Sequence, residues 1–167
     1  VTIENCSFRA TGVNVVAVKI RQGYNITIKN CVADGVTRAN DSGMHSLGQF
    51  YGCTGITIDG VDFNNAGEGG VSFGTSKNVV VKNSTFVTGY YGVRADASVA
   101  TTLEIENVNI TANLPVVARY CTADYTINIS GENTFDAPGY QIVFTEGDDA
   151  TPFVTPTSNW KLNGGVG

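Results

Sequence analysis

One phrase is written into this chain repeatedly, and its spacing constrains the fold more than any other feature. Val1-Thr2-Ile3-Glu4-Asn5-Cys6-Ser7-Phe8 returns as Ile26-Thr27-Ile28-Lys29-Asn30-Cys31 and as Ile56-Thr57-Ile58-Asp59-Gly60-Val61-Asp62-Phe63. It appears again as Val79-Val80-Val81-Lys82-Asn83-Ser84-Thr85-Phe86, as Leu103-Glu104-Ile105-Glu106-Asn107-Val108-Asn109-Ile110, and more loosely from Ile127 to Phe135. Measured at Ile3, Ile28, Ile58, Val81, Ile105 and Ile129, the steps are 25, 30, 23, 24 and 24 residues. A period of about two dozen residues with a strand in every copy predicts a solenoid.

Each copy alternates apolar and polar residues, the signature of a strand with one buried face. Stacked as parallel strands, the copies would form buried columns of mostly β-branched residues, which suit sheets. The outward column reads Glu4, Lys29, Asp59, Lys82, Glu106, so unlike charges become neighbours at each step, as in-register stacking favours. Next come Asn5, Asn30, Gly60, Asn83, Asn107 and Gly131, the residue types that most readily take positive φ. A second turn precedes three of the copies, at Asn25, Gly55 and Asn78. Between copies lies another apolar stretch, such as Gly70-Val71-Ser72-Phe73 or Gly92-Val93-Arg94-Ala95. The expectation is an all-β chain of about six coils of about 24 residues, with three short strands and three turns per coil.

Those two patterns, apolar-x-apolar-x-Asn-x-x-Phe followed by Gly-apolar-x-apolar, resemble the right-handed parallel β-helix repeat of pectate lyases, polygalacturonases and phage tailspikes. The resemblance covers residues 1–145 and leaves 146–167 as a C-terminal cap or exit segment. It fixes no function, because that superfamily holds both enzymes and inert spacers.

Ten Lys and Arg against fifteen Asp and Glu give a net charge of −5 with no basic cluster, which argues against nucleic acid as a partner. No long apolar run predicts a membrane span, and neither metal nor cofactor is expected: His45 is the one histidine, and the four cysteines are scattered. Cys6 and Cys31 share an inward column on adjacent coils, within disulfide reach, although a ladder of free thiols is the favoured reading. With Val1 already inside a strand pattern, the expectation is a fragment, a processed chain or one that stacks on a partner.

In enzymes of this fold, the resemblance implies that substrate lies along the outward face of the Gly-apolar-x-apolar sheet, between the loops that wall it. That face would carry Lys19, Gln49, Ser72 and Arg94 here, beside the one long loop, Asp34–His45. The candidate catalytic set is Arg94, His45, Glu68 and Asp41; the candidate carbohydrate-binding set is Lys19, Gln49, Tyr90, Tyr91 and Arg94, with the tyrosines as stacking platforms. Polygalacturonase-like segments are only echoed, in Gly43-Met44-His45 and Gly92-Val93-Arg94, without the Asp-Asp pair. The leading expectation is therefore a non-catalytic extracellular, cell-surface or virion-surface module, of adhesin, tail-spike or envelope type. Its expected partner is a polysaccharide or cell-surface glycan. The alternatives are a polysaccharide lyase or hydrolase acting on acidic polysaccharide, and a filament subunit that self-associates or joins flanking domains.

Overall fold

A computed structural model describes residues 1–9, 15–34, 44–145 and 160–164, with Met44, His45, Asn65 and Ala66 described in backbone only. The described residues contain strands and turns and no helix, hence none long and apolar enough to cross a membrane. The first circuit is β1 (Thr2–Glu4), β2 (Ser7–Arg9) and β3 (Val15–Arg21), and the second is β4 (Tyr24–Lys29), β5 (Val32–Asp34) and β6 (Met44–Tyr51). Then follow β7 (Thr54–Asp59), β8 (Asp62–Ala66) and β9 (Gly69–Gly74), and β10 (Lys77–Lys82), β11 (Thr85–Thr88) and β12 (Tyr91–Asp96). The fifth circuit is β13 (Thr101–Glu106), β14 (Asn109–Thr111) and β15 (Leu114–Arg119). The sixth is β16 (Tyr125–Ser130), β17 (Thr134–Asp136) and β18 (Ile142–Phe144), after which comes β19 (Trp160–Asn163).

Every strand pairs in parallel with its counterpart one circuit on, producing sheets of seven, six and six strands. Five complete turns run from β1 to β16, and the sixth passes through residues outside those described. The expected files are present: Ile28 pairs with both Ile3 and Ile58, and the file continues through Val81, Ile105 and Ile129. Ile28, Ile58, Val81 and Ile105 have no exposed surface, and each such side chain contributes roughly 1.5–3 kcal/mol of hydrophobic stabilisation. On the outer surface Glu4 neighbours Lys29, Lys29 neighbours Asp59, and the Lys82 ammonium comes within 3.7 Å of Asp59. Within the stretch 146–167, β19 lies in register on β16, and Trp160 stacks on Phe144.

The corners explain the Asn/Gly column. Asn5, Asn30, Asn83 and Asn107 have φ of 50–56°, with Gly60 at 65° and Gly131 at 75°. These asparagines also link rungs, since Asn83 Nδ2 donates to Asp59 at 2.8 Å and Asn107 Nδ2 to Asn83 Oδ1 at 3.3 Å. Amides that the turn removes from the ladder find side chains one rung on. Val61 N–H donates to Ser84 Oγ, Cys53 N–H to Ser76 Oγ, and Val108 N–H to Asn133 Oδ1. All four cysteines are free thiols. Cys6 and Cys31 each donate to the carbonyl two residues back, at 3.3 Å, and burial pushes the Cys31 thiol up.

Gly131 carries both constraints at once, because a Cβ there would lie 2.1 Å from Asn107 Oδ1 and the residue would keep its positive φ. Gly131→Ala is therefore expected to destabilise by about 1–3 kcal/mol in chemical denaturation. Gly139→Ala, with nothing within 4 Å of the new methyl, is expected to change stability by less than about 0.5 kcal/mol.

Candidate functional site

The third sheet aligns the residues of the candidate face in a single outward file. Lys19 pairs with Gln49, Gln49 with Ser72, Ser72 with Arg94, Arg94 with Val117, and Val117 with Val143. Its exposure is uneven. Lys19 is open to solvent, whereas Gln49, Ser72 and Arg94 are 7%, 4% and 8% exposed.

Arg94 is the centre of a polar cluster. Its Nη1 meets Glu68 Oε1 at 3.4 Å, and its guanidinium lies 4.2 Å from the centre of the Tyr91 ring. Tyr91 is fully buried. Its ring crosses the backbone of Gly69, where a Cβ would stand 2.2 Å from the ring carbons, so only glycine fits beneath it. The Glu68 carbonyl accepts the amides of both Tyr90 and Tyr91, at 2.9 and 3.0 Å, and Thr88 Oγ1 donates to the Tyr91 carbonyl at 2.8 Å. Glu68 thus holds the start of β12 through its backbone and Arg94 through its side chain. Ser72 stands beside the Tyr91 phenol, with the two hydroxyls facing each other outside good hydrogen-bond geometry, and Ser46 Oγ and Arg94 Nε are buried without a partner. Burial, reinforced by Glu68 and opposed by Arg94, pushes the Tyr91 phenol up to about 12.

The cluster brings together Arg94, Glu68, Tyr91 and, at its edge, Tyr90. Tyr91 does not present a stacking platform, because its ring is enclosed against Arg94 and Gly69. Tyr90 is half-buried and meets Tyr91 edge-on at 6.3 Å. His45 lies in β6, where its backbone alone is described, and Asp41 falls outside the described residues. Asp96, the next acid along β12, is bound to Arg119 at 2.6 Å. No group of three His, Cys, Asp or Glu gathers in metal-binding distance among the described residues.

A second feature of this sheet escaped the sequence reading. Two positions beyond the Lys19 file runs another: Arg21, Tyr51, Gly74, Asp96 and Arg119. Tyr51 lies across Gly74, where a Cβ would be 2.5 Å from the ring, and both Lys19 and Arg21 hang over that ring. The signal was present in Arg21-Gln22, Tyr51-Gly52 and Gly74-Thr75, which share a register.

The Tyr91 phenol supplies a test of the cluster. The folded state holds its proton up to about pH 12, while an unfolded tyrosine releases it near 10. Its contribution is complete below pH 10 and is lost between about 10 and 12, at up to about 1.4 kcal/mol per unit. Tyr91→Phe should leave stability at pH 7 unchanged or slightly raised, because it removes a buried hydroxyl without a protein partner, and should flatten the decline above pH 10, read by denaturation and by phenolate absorbance near 295 nm. A decline of unchanged slope would show that the phenol is not enclosed.

A sequence model described as the right-handed beta helix region matches residues 1–155. Comparison with curated proteins and with solved structures returned no match. With the match spanning most of its length and three stacked parallel sheets beneath it, the chain belongs to the right-handed beta helix family.

Proposed function

We propose that this β-helix is a rigid, non-catalytic module of an extracellular or virion-surface assembly, of adhesin, tail-spike or envelope type, and that it binds glycan along the outward face of its third sheet. The observation that carries this reading is the state of Arg94. The guanidinium is 8% exposed, paired with Glu68 and stacked on Tyr91. Held so, it braces the strand and the loop beside it and offers little access to a substrate proton. Glycoside hydrolysis needs two carboxylates flanking the scissile bond. Among the described residues of this cluster Glu68 is engaged by Arg94, and neighbouring Asp96 by Arg119.

A braced face suits recognition. Parallel stacking presents side chains at fixed intervals of about 4.8 Å, so a polymer laid along it loses affinity to little besides its own ordering. Lys19 and the half-buried Tyr90 are the residues of the face that would touch sugar, with Arg94 and Glu68 supporting from below.

On a glycan array the protein is expected to bind a restricted set of polysaccharides. Tyr90→Ala should weaken binding about tenfold, the loss of one aromatic contact, with an unchanged melting curve. Incubation with the bound glycan should release neither reducing ends nor products absorbing in the ultraviolet. Array silence would refute the glycan reading, and new chain ends would establish an enzyme instead.

A further inference from the structure

We infer that the corner between the third and first sheets, formed by Lys19, Arg21 and Tyr51 with the turn residues Gln22 and Thr75, is a binding site for the anionic group of an acidic glycan, either a carboxylate or a sulfate ester. This deepens the glycan-binding reading by naming a ligand class and a location away from Arg94.

Lys19 and Arg21 are exposed and two residues apart on β3, so both project outward, at a spacing of about 6.6 Å. Both cations approach the same ring one rung away: Lys19 Nζ is 5.8 Å and the Arg21 guanidinium 5.6 Å from the Tyr51 centroid. Cation–π contact at that range orients the pair while leaving its charge uncompensated. Neither cation has a carboxylate partner among the described residues. The acid in the same file, Asp96, is taken by Arg119 at 2.6 Å. Two neighbouring positive groups repel one another, and on a chain of net charge −5 they form a local positive spot that an anion would relieve.

The surroundings are shaped accordingly. Arg21, Gln22, Tyr51, Gly52 and Thr75 line a surface depression. Gly52, at φ 61°, places no side chain in it, while the exposed Gln22 side-chain amide and Thr75 hydroxyl stand at its walls without hydrogen bonds among the described residues. Tyr51 cannot sink away from the surface, because Gly74 packs directly beneath the ring. The corner therefore combines two charge-assisted donors, two neutral polar groups and one aromatic ring held in place. That is the set that recognises an anionic saccharide: cations for the acid group, polar atoms for hydroxyls, a ring for the apolar face of the sugar.

The test is calorimetric titration of the full chain at low and at physiological salt with three probes: oligogalacturonate, a heparin-derived oligosaccharide and neutral cello-oligosaccharide. At least one acidic probe should bind and the neutral one should not, with affinity falling as salt rises. The two acidic probes separate carboxylate from sulfate recognition, and binding of either supports the site. The double variant Lys19→Gln/Arg21→Gln should lose at least tenfold, with an unchanged circular dichroism spectrum. Binding that survives the double variant, equal binding of the neutral probe, or no binding of either acidic probe would overturn the inference. Tyr90→Ala tested in parallel separates the two readings. Because Lys19 belongs to both readings, the single variant Arg21→Gln decides between them: a loss in Arg21→Gln without one in Tyr90→Ala supports the corner alone, and a loss confined to Tyr90→Ala supports the sheet face and removes the corner.

Discussion

Everything in this molecule depends on superposition: each circuit of chain must lay its residues directly on the equivalent residues of the circuit before. The parallel ladder imposes this, since a slip of one residue would turn every Ile file to solvent and every charge file into the core. Corners make it affordable. Four asparagines and two glycines at positive φ turn the chain at one point in every circuit, and asparagine amides tie some of these turns to the next rung. Where a turn leaves an amide outside the ladder, a buried Ser or Asn one rung on accepts it. Stability is consequently a sum of nearest-neighbour terms, and a defect at one rung is felt mainly by its two neighbours.

The same superposition makes the functional face. Because files are vertical, residues 22 to 30 positions apart become adjacent, and a row such as Lys19, Gln49, Ser72 and Arg94 is assembled from four circuits. Glycine occupies positions where a side chain from the neighbouring rung must lie flat: Gly69 beneath Tyr91 and Gly74 beneath Tyr51. These two rings produce opposite results. Tyr91 is sealed under Arg94 and stiffens the cluster with Glu68, while Tyr51 stays at the surface between two cations. One sheet thereby holds a braced interior polar cluster and an open cationic corner.

Much of the architecture was legible because it is periodic. The Ile files, the alternating charges and the Asn/Gly corners each recur, and recurrence separates them from composition. The outward file Lys19–Gln49–Ser72–Arg94 was placed by the same reasoning, and its pairing in the structure is the one the repeat implies. What was not legible lacks a repeating residue type. The positive φ of Gln22, Thr75 and Tyr120 falls on residues with no preference for it, imposed there by the closing of the circuit. Trp160–Asn163 continues the first sheet although it lies outside the regular spacing of the repeat, its Trp-x-Leu alternation standing in register on Tyr125 and Ile127. Burial of Tyr91 depends on a ring crossing a neighbouring rung, which alternation along one strand does not reveal.

The central claim, in-register stacking, is tested most directly by a distance along one outward file. Glu4, Lys29, Asp59, Lys82 and Glu106 step through four rungs, so Glu4 and Glu106 should stand about 19 Å apart. Spin labels attached at these two exposed positions through a ketone-bearing residue, which avoids the four native cysteines, allow pulsed electron resonance to read that separation. A single narrow distribution centred near 20 Å, within the reach of the label tethers, is the predicted result. A broad distribution, or one centred beyond about 30 Å, would contradict the stacking and with it the assembly of both the Arg94 cluster and the Tyr51 corner.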